Sequence, residues 1–193
     1  MNRALPLLAF TVGLIAIGWI GAGYFGTSPL ALAMTLLIAA FYLIGGLELR
    51  RFHLATASLL GALGSLTSPP PSLRAWLHPL HPSLQNSVRA RIEGERIGLP
   101  GPVMTPYLVG LLVLLGMLGT FLGMVVTLNG AVIALESTTD LPTIRAALAA
   151  PVKGLGLAFG TSVAGVAGSA MLGLVSALCR RERLAAAQAL DSQ

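Results

Sequence analysis

Charge is the scarcest property of this sequence. Only 10% of its 193 residues are Asp, Glu, Lys or Arg, whereas 55% are hydrophobic. A soluble domain of ordinary composition carries about 25% charged residues. Water would tolerate so much apolar surface only at a large cost in free energy, because that cost grows with the exposed apolar area. The composition therefore excludes an ordinary soluble domain and predicts a chain whose apolar surface faces lipid.

Residues suited to covalent or metal chemistry are also scarce. The single cysteine, Cys179, cannot form an intrachain disulfide, and we interpret it as a packed thiol, with lipidation as the weaker alternative. His78 and His81 are separated by a proline and have no Cys or acidic residue nearby, so they do not match a metal site. The glycines from 116 to 123 lie in an apolar run with no preceding strand, which argues against a nucleotide loop. We therefore expect no metal, no cofactor and no enzymatic activity.

Four apolar runs are long enough to cross a bilayer, which requires about 18 residues or more. They cover residues 5–25, 30–47, 106–134 and 155–178. The first run exceeds the roughly 7–15 residues of a signal-peptide core, so we interpret it as a retained span. The predicted fold class is all-α, a polytopic membrane protein with four transmembrane helices.

The placement of basic residues predicts the orientation. If the N-terminus is cytoplasmic, Arg145 and Lys153 are the basic residues left on the opposite side, and the other ten of the twelve lie in the cytoplasm. The positive-inside rule therefore predicts an N-in, C-in topology. The basic residues lie in the breaks between apolar runs and form no patch, so the net charge of +5 predicts membrane lipid and not nucleic acid as a partner.

The breaks divide the chain into four regions. Residues 1–49 hold the first two transmembrane helices, 50–105 a cytoplasmic loop, 106–183 the third and fourth transmembrane helices, and 184–193 the start of a cytoplasmic helix. Within the loop, residues 54–66 are apolar but too short to span, so they either continue the second helix or lie at the interface. A proline-rich connector at 68–72 and a short polar helix at 87–97 follow.

The third helix is longer than a bilayer is thick. Its roughly 29 residues would extend about 43 Å, against about 30 Å of hydrocarbon. We expect the long third and fourth helices to project into the cytoplasm, with a short periplasmic turn at 136–143 between them.

Small residues recur along both of these helices. On the third helix they are spaced by four, three, four and three residues, which places them on one face: Gly116, Thr120, Gly123, Thr127 and Gly130. The fourth helix carries a similar stripe, at Gly154, Ala158, Thr161, Gly165 and Gly168. Beside it runs a ridge of small residues four apart, at Gly156, Gly160, Ala164 and Gly168. Helices in lipid associate through such residues, because their backbones can approach closely. The predicted packing residues between the third and fourth helices are Gly116, Gly119, Gly123, Gly156, Gly160, Gly165 and Gly168.

Hydroxyl groups lie near the middle of the same two helices, on Thr120, Thr127, Thr161 and Ser162. One interpretation is that each hydroxyl bonds the carbonyl one turn back, as is common in membrane helices. The other is a polar lining for ions. The core of each span contains no Asp, Glu, Lys, Arg or His, so a proton path would need a carboxylate from a partner.

Two sequence blocks resemble a known family. Residues 115–123, Leu-Gly-Met-Leu-Gly-Thr-Phe-Leu-Gly, are similar to the GLLGTxxG signature of the MotA, TolQ and ExbB proton-channel family. Residues 144–148 and 154–168 are similar to its second conserved block. The resemblance covers roughly 100–183, and Gly-Leu-Ala-Phe-Gly-Thr-Ser at 156–162 looks closest to the branch with the Zorya-type motor subunit.

The resemblance implies a homopentamer around a dimer of a single-span MotB, TolR or ExbD-like partner, whose aspartate faces Thr120 and Thr161, with Ser162 adjacent. Such a complex is the channel and stator of a motor in the bacterial inner membrane, driven by protons or sodium ions. The sequence lacks the proline that often follows the second block's threonine and the large charged cytoplasmic domain of the flagellar members. Two helices precede the conserved pair, as in MotA, whereas TolQ and ExbB have one. The alternative is a non-conducting membrane scaffold that anchors a cytoplasmic tail.

Overall fold

The computed structural model describes residues 4–64, 76–94, 98–136 and 140–191, and all regular structure in these ranges is helical. The helices are α1 (Ala4–Gly23), α2 (Pro29–Gly64), α3 (Pro82–Ile92), α4 (Thr105–Glu136) and α5 (Leu141–Asp191). Four of them, α1, α2, α4 and α5, are long and apolar enough to cross a membrane. The prediction of an all-helical chain with four membrane-length apolar helices is confirmed, while its orientation stays a prediction.

The second helix is much longer than its apolar run. Of the two alternatives for residues 54–66, the structure adopts the first: α2 continues without a break to Gly64, over 36 residues. The predicted loop is therefore helical in its first part. The proline-rich connector at 68–72 lies outside the described residues.

The short polar helix begins earlier than predicted. α3 starts at Pro82 because His81 caps it, with its side chain accepting from the backbone N–H of Ser83, and because proline suits a first helical turn. Its ion pair joins Arg89 Nε to Glu93 Oε1 at 2.8 Å, and this carboxylate raises the pKa of Arg89. The predicted end of the helix at 95–97 lies outside the described residues.

The fourth apolar run is the central part of a far longer helix. α5 is continuous for 51 residues, with Pro151 inside it. Of the predicted C-terminal helix at 184–193, the described residues 184–191 are the last part of α5 and not a separate element, and 192–193 lie outside the described residues. The predicted turn at 136–143 is too long. α5 already begins at Leu141, because the Asp140 carboxylate accepts from the Thr143 hydroxyl at 2.8 Å and from the Thr143 N–H at 3.4 Å.

The four long helices share one apolar core. Its fully buried members include Ile17, Ile38, Tyr42, Leu112 and Leu172, one or two from each helix. The Tyr42 ring stacks on Phe10 with centroids 4.8 Å apart, and the Tyr42 hydroxyl donates to the Phe10 carbonyl at 2.9 Å. This pair fixes α1 against α2.

The helices do not overlap along their whole length. α1 passes α5 from the level of Met171, beside Gly13, to the level of Gly160, which touches Tyr24. The C-terminal half of α4 therefore extends beyond the α1–α2 turn, on the side away from the N-terminus, and side chains such as Ile133 are exposed there. The expected projection of the third and fourth helices into the cytoplasm depends on the orientation and, like the orientation, stays a prediction.

A second, smaller core lies at the N-terminal side of the bundle. It joins the end of α2, residues 76–80, α3 and the end of α5 through Leu59, Leu80, Leu84, Val88 and Ala186. Trp76 Nε1 donates to the Ala62 carbonyl at 3.2 Å. The chain thus folds the ends of its long helices into a compact helical unit next to the membrane-length bundle.

Glu48 fixes where α4 begins. Its carboxylate accepts from the Met104 backbone N–H at 2.9 Å and from the Thr105 hydroxyl at 2.6 Å. A carboxylate at a helix N-terminus satisfies free N–H groups and interacts favourably with the helix dipole. The acid at the edge of the second apolar run therefore sets the level of α4 relative to α2.

Arg183 joins three separate segments. It is only 5% exposed, and its guanidinium donates to the Thr56 hydroxyl at 2.8 Å, the Pro100 carbonyl at 2.8 Å and the Phe52 carbonyl at 3.1 Å. The guanidinium carbon also lies 4.0 Å from the centre of the Phe52 ring. Among the described carboxylates, none pairs with it. These bonds tie α5 to α2 and to the segment that leads into α4.

The cap predicts a stability difference. Replacing the carboxylate in Glu48→Ala leaves the Met104 N–H and the Thr105 hydroxyl without this acceptor, which should lower the free energy of unfolding by about 1–2 kcal/mol. Thermal unfolding of the detergent-purified protein measures this loss. The control is Glu93→Ala, which removes an exposed pair. Equal melting temperatures for the two variants would contradict the capping role.

Replacing Arg183 should lower the stability of the protein more than replacing Glu48. Arg183→Met keeps much of the apolar stem but leaves the Pro100 carbonyl and the Thr56 hydroxyl without their donor, and we expect a loss of about 2–4 kcal/mol. Limited proteolysis should then cut the 98–104 segment faster. Arg181→Met is the matched control, because Arg181 is exposed and lies two residues before Arg183 on the same helix. A cleavage rate unchanged from the wild type would show that Arg183 does not hold this segment.

Candidate functional site

The backbones of α4 and α5 touch each other at two glycines. A Cβ added at Gly165 would collide with the Leu112 carbonyl oxygen and lie 2.9 Å from the Cα of Gly116. A Cβ added at Gly116 would lie 3.1 Å from the Thr161 carbonyl oxygen and 3.2 Å from the Cα of Gly165. Any side chain at either position would push the helices apart, so the predicted small-residue stripes do meet here.

Next to this contact, two hydroxyls share two carbonyls. Thr120 Oγ1 lies 3.1 Å from the carbonyl oxygens of both Gly116 and Ala158. Thr161 Oγ1 lies 2.8 Å from the carbonyl of Ala158 and 3.5 Å from that of Gly116. Each hydroxyl therefore reaches one acceptor on its own helix and one on the other helix. We call Thr120, Thr161 and these two carbonyls the hydroxyl cluster.

The two hydroxyls differ in exposure. Thr161 is 0% exposed, whereas Thr120 is half-buried. Gly119 covers Thr161 so closely that a Cβ there would lie 2.7 Å from Thr161 Oγ1. In the described chain, Thr120 is therefore the member of the cluster that reaches the surface.

The other two predicted ion-pathway residues lie outside the cluster. Thr127 donates to the Met124 carbonyl of its own helix at 3.0 Å, and its methyl group lies against Gly154, two turns along α4 from Thr120. Ser162 is half-buried, and its Cα faces Gly116. The structure brings Thr120 and Thr161 together, with Ser162 beside the glycine contact and Thr127 apart.

The predicted packing glycines divide into three groups. Gly116, Gly119, Gly123 and Gly165 lie at the α4–α5 contact. Gly160 and Gly168 pack elsewhere, against Tyr24 and Ile20 in the first case and against Ile17 and Tyr42 in the second. Among the described residues, none has an atom within 4 Å of a Cβ placed at Gly156.

The predicted packing of the ridge on α4 is therefore wrong for Gly160. Gly168 lies closest to α1 and α2, but a Cβ there would also be 3.7 Å from Leu112 of α4. The ridge and the stripe are different faces of the same helix, and α5 lies between its neighbours. Gly156 meets no described residue of α1, because α1 ends beside Tyr24 at the level of Gly160, one turn of α5 away from Gly156.

Sequence reasoning missed Tyr24. This residue follows α1 directly, is 4% exposed, and hydrogen-bonds to the backbone of Thr161 while it covers Gly160. The signal available in the sequence was a tyrosine at the end of an otherwise apolar run, where a polar tip needs a partner. Ala158 was missed as well, because a backbone carbonyl leaves no trace in residue type.

The cluster offers only oxygen atoms. A hydroxyl has one proton to donate and two lone pairs to accept, so both threonines keep acceptor capacity after bonding a carbonyl. Such oxygens can bind a water, a cation or a protonated carboxylic acid. They do not titrate within the physiological pH range, so the cluster binds and orients a proton carrier and does not itself hold the proton.

The two glycine environments predict opposite effects of the same substitution. Gly165→Ala places a methyl group against the backbone of α4 and should destabilise the α4–α5 pair by about 1–3 kcal/mol. Gly156→Ala meets no atom and should leave stability unchanged or raise it by up to about 1 kcal/mol, because alanine favours helix. Thermal unfolding compares them directly. Similar shifts in both variants would contradict the described contact.

Comparison with protein-family models, with curated proteins and with solved structures gave no match to this chain. The resemblance to the MotA, TolQ and ExbB family therefore rests on the two sequence blocks alone. The site itself is a hydroxyl cluster between two closely packed apolar helices of a four-helix, multi-pass membrane protein.

Proposed function

We propose that this chain is the channel and stator subunit of an ion-driven motor in a bacterial inner membrane. Ions, protons or sodium, pass beside Thr120, and a single-span partner supplies the carboxylate that this chain lacks. The observation that carries the proposal is the hydroxyl cluster: two threonines from neighbouring helices converge on the same two carbonyls inside apolar spans.

The surface around Thr120 is suited to a partner helix. Met117, Phe121 and Met124 are exposed on the same helix, within four residues of Thr120. A partner helix packed against these side chains would bury apolar surface and could bring a carboxylate to the Thr120 hydroxyl. Several copies of the α4–α5 pair, five in the family that the sequence resembles, would then surround the partner dimer.

The two threonines have different roles in this proposal. Thr120 contacts the ion or the partner's acid, because it reaches the surface. Thr161 is a positioning residue: when its proton goes to the Ala158 carbonyl at 2.8 Å, the Gly116 carbonyl is left as the acceptor for Thr120. The state of one hydroxyl thus sets the direction of the other.

The driving force for such a motor comes from the membrane potential. One elementary charge that crosses 100 mV releases about 2.3 kcal/mol, which exceeds thermal energy several-fold. With the N-terminus in the cytoplasm, the arginines at 50–51 of α2 and 180–183 of α5 lie on the cytoplasmic side, towards which the membrane potential pulls cations. The energy is then available to turn or displace the ring relative to its partner.

The complete burial of Thr161 favours a second candidate function, the non-conducting scaffold. Each hydroxyl of the cluster also reaches a carbonyl of its own helix, and such bonds occur in membrane helices with no transport role. In that case the cluster only holds α4 to α5, and the helical unit at the ends of α2 and α5 is what the membrane anchor displays.

The test is ion flux in liposomes that contain this chain together with a single-span, aspartate-bearing protein; the neighbouring genes are the place to look for one. Thr120→Val should lower flux by about tenfold or more, because the ion pathway loses a hydrogen bond worth about 1.4 kcal/mol. Thr161→Val should lower it less, and Thr161→Ser should restore it. Thr35→Val is the control, since Thr35 donates to Ala31 at 2.8 Å within α2, far along the chain from the cluster.

Thermal unfolding of the same variants separates the two functions. The channel predicts a loss of flux that is larger than any loss of stability for Thr120→Val. If this variant conducts at the wild-type rate while its melting temperature falls, the cluster is structural and the scaffold is favoured. A purified complex with no enclosed partner helix would also contradict the motor.

A further inference from the structure

A groove of about 560 Å³ opens between α1, α2 and α5, away from the hydroxyl cluster. Its apolar walls are formed by Leu7 and Phe10 of α1, Leu43 and Leu47 of α2, and Val175 and Cys179 of α5. Its volume lies within the range of about 300–1,000 Å³ that is typical of ligand sites. The proposed motor function assigns no role to this groove.

Close packing on one side produces the groove. The Phe10 ring lies directly over Gly46, where any Cβ would collide with it. This part of α2 therefore presents a flat wall and not a side chain. Leu7 and Leu47, on the rim, are more than half exposed, so the groove opens onto the surrounding hydrocarbon. An occupant can enter it from the bilayer.

One end of the groove is cationic. Arg50 and His53 line it there, one to two turns after Leu47 on α2. His53 Nδ1 lies 3.0 Å from the Glu182 carboxylate, which compensates that end in part. Arg50 is exposed and pairs with none of the described carboxylates. An unpaired guanidinium therefore remains beside an apolar groove.

The cationic end lies at the boundary of the apolar spans. Glu48, two residues before Arg50, caps the N-terminus of α4, and Pro6, in the first turn of α1, lines the groove near it. This is the level at which lipid headgroups meet the protein. Under the predicted orientation it is the cytoplasmic leaflet, which carries the anionic lipids and whose headgroups bind in basic pockets between helices.

We propose that the groove binds an anionic phospholipid, with its phosphate at Arg50 and His53 and one acyl chain along the wall from Leu47 to Phe10. In this arrangement the anionic phosphate lies at the cationic end of the groove, and the acyl chain lies against its apolar wall. A helix from a second copy matches less well. It would have to bring a carboxylate next to an apolar segment, and the acid at the edge of a span, Glu48, is already engaged by α4.

Native mass spectrometry of the purified full chain tests the proposal by counting retained lipids. The probes are phosphatidylglycerol and phosphatidylcholine with identical acyl chains. We expect the wild type to retain phosphatidylglycerol about fivefold more, the factor expected from one arginine near an anionic headgroup. Arg50→Gln should abolish this preference, and Arg51→Gln, an exposed neighbour that does not line the groove, should keep it.

A second pair of variants tests the apolar part. Leu47→Trp fills the groove and should reduce retention of both lipids, whereas Ile44→Trp, also exposed on α2 but outside the groove, should not. Equal retention of the two lipids by the wild type would overturn the proposal. So would equal losses in Arg50→Gln and Arg51→Gln, which indicate diffuse surface charge, or a disulfide between copies in Leu47→Cys, which indicates a second copy in the groove. Lipid retention does not depend on ion conduction, so failure of the motor proposal would leave the lipid count unaffected.

Discussion

The direct backbone contact between α4 and α5 at Gly116 and Gly165 is the constraint on which the rest of the site depends. Lipid gives apolar helices no hydrophobic reason to associate, so close approach and interhelical hydrogen bonds must hold them. The glycine contact brings each helix within reach of the other's carbonyls, and Thr120 and Thr161 can then bond across the interface. The hydroxyl cluster is a consequence of that approach, because one added methyl group at either glycine would separate the donors from their acceptors.

The polar groups outside the apolar spans have a different task, which is to fix the levels of the helices. Glu48 sets where α4 begins relative to α2, and Arg183 ties α5 to α2 and to the segment before α4. A sliding motion of α4 along α5 would have to break these bonds as well as the glycine contact. Two sets of contacts therefore fix the register that brings Thr120 beside Ala158. One is the glycine contact in the apolar region, and the other is formed by Glu48 and Arg183 at the N-terminal end of α4.

The lipid groove and the hydroxyl cluster lie on different sides of α5 and at different levels. Cys179 and Val175 face the groove, whereas Thr161 lies four to five turns earlier and faces α4. α1 links the two regions, since Phe10 lines the groove and Tyr24, which directly follows the opposite end of the helix, covers Gly160 next to Thr161. A ligand in the groove would thus contact α1 without contacting the hydroxyl cluster.

The sequence by itself determined the class of the chain, because runs of 18 or more apolar residues have few alternatives to crossing a bilayer. It also determined the stripe at Gly116, Thr120 and Gly123, since a spacing of four and three defines one face of a helix. Only the tertiary structure decided which neighbour each face meets: Gly160 and Gly168 pack against α1 and α2, and Gly156 meets nothing. The burial of Thr161 and the acceptor role of Ala158 were decided there too. Periodicity describes a single helix. These features depend instead on the relative level and rotation of two or more helices, and contacts between residues distant in sequence determine both.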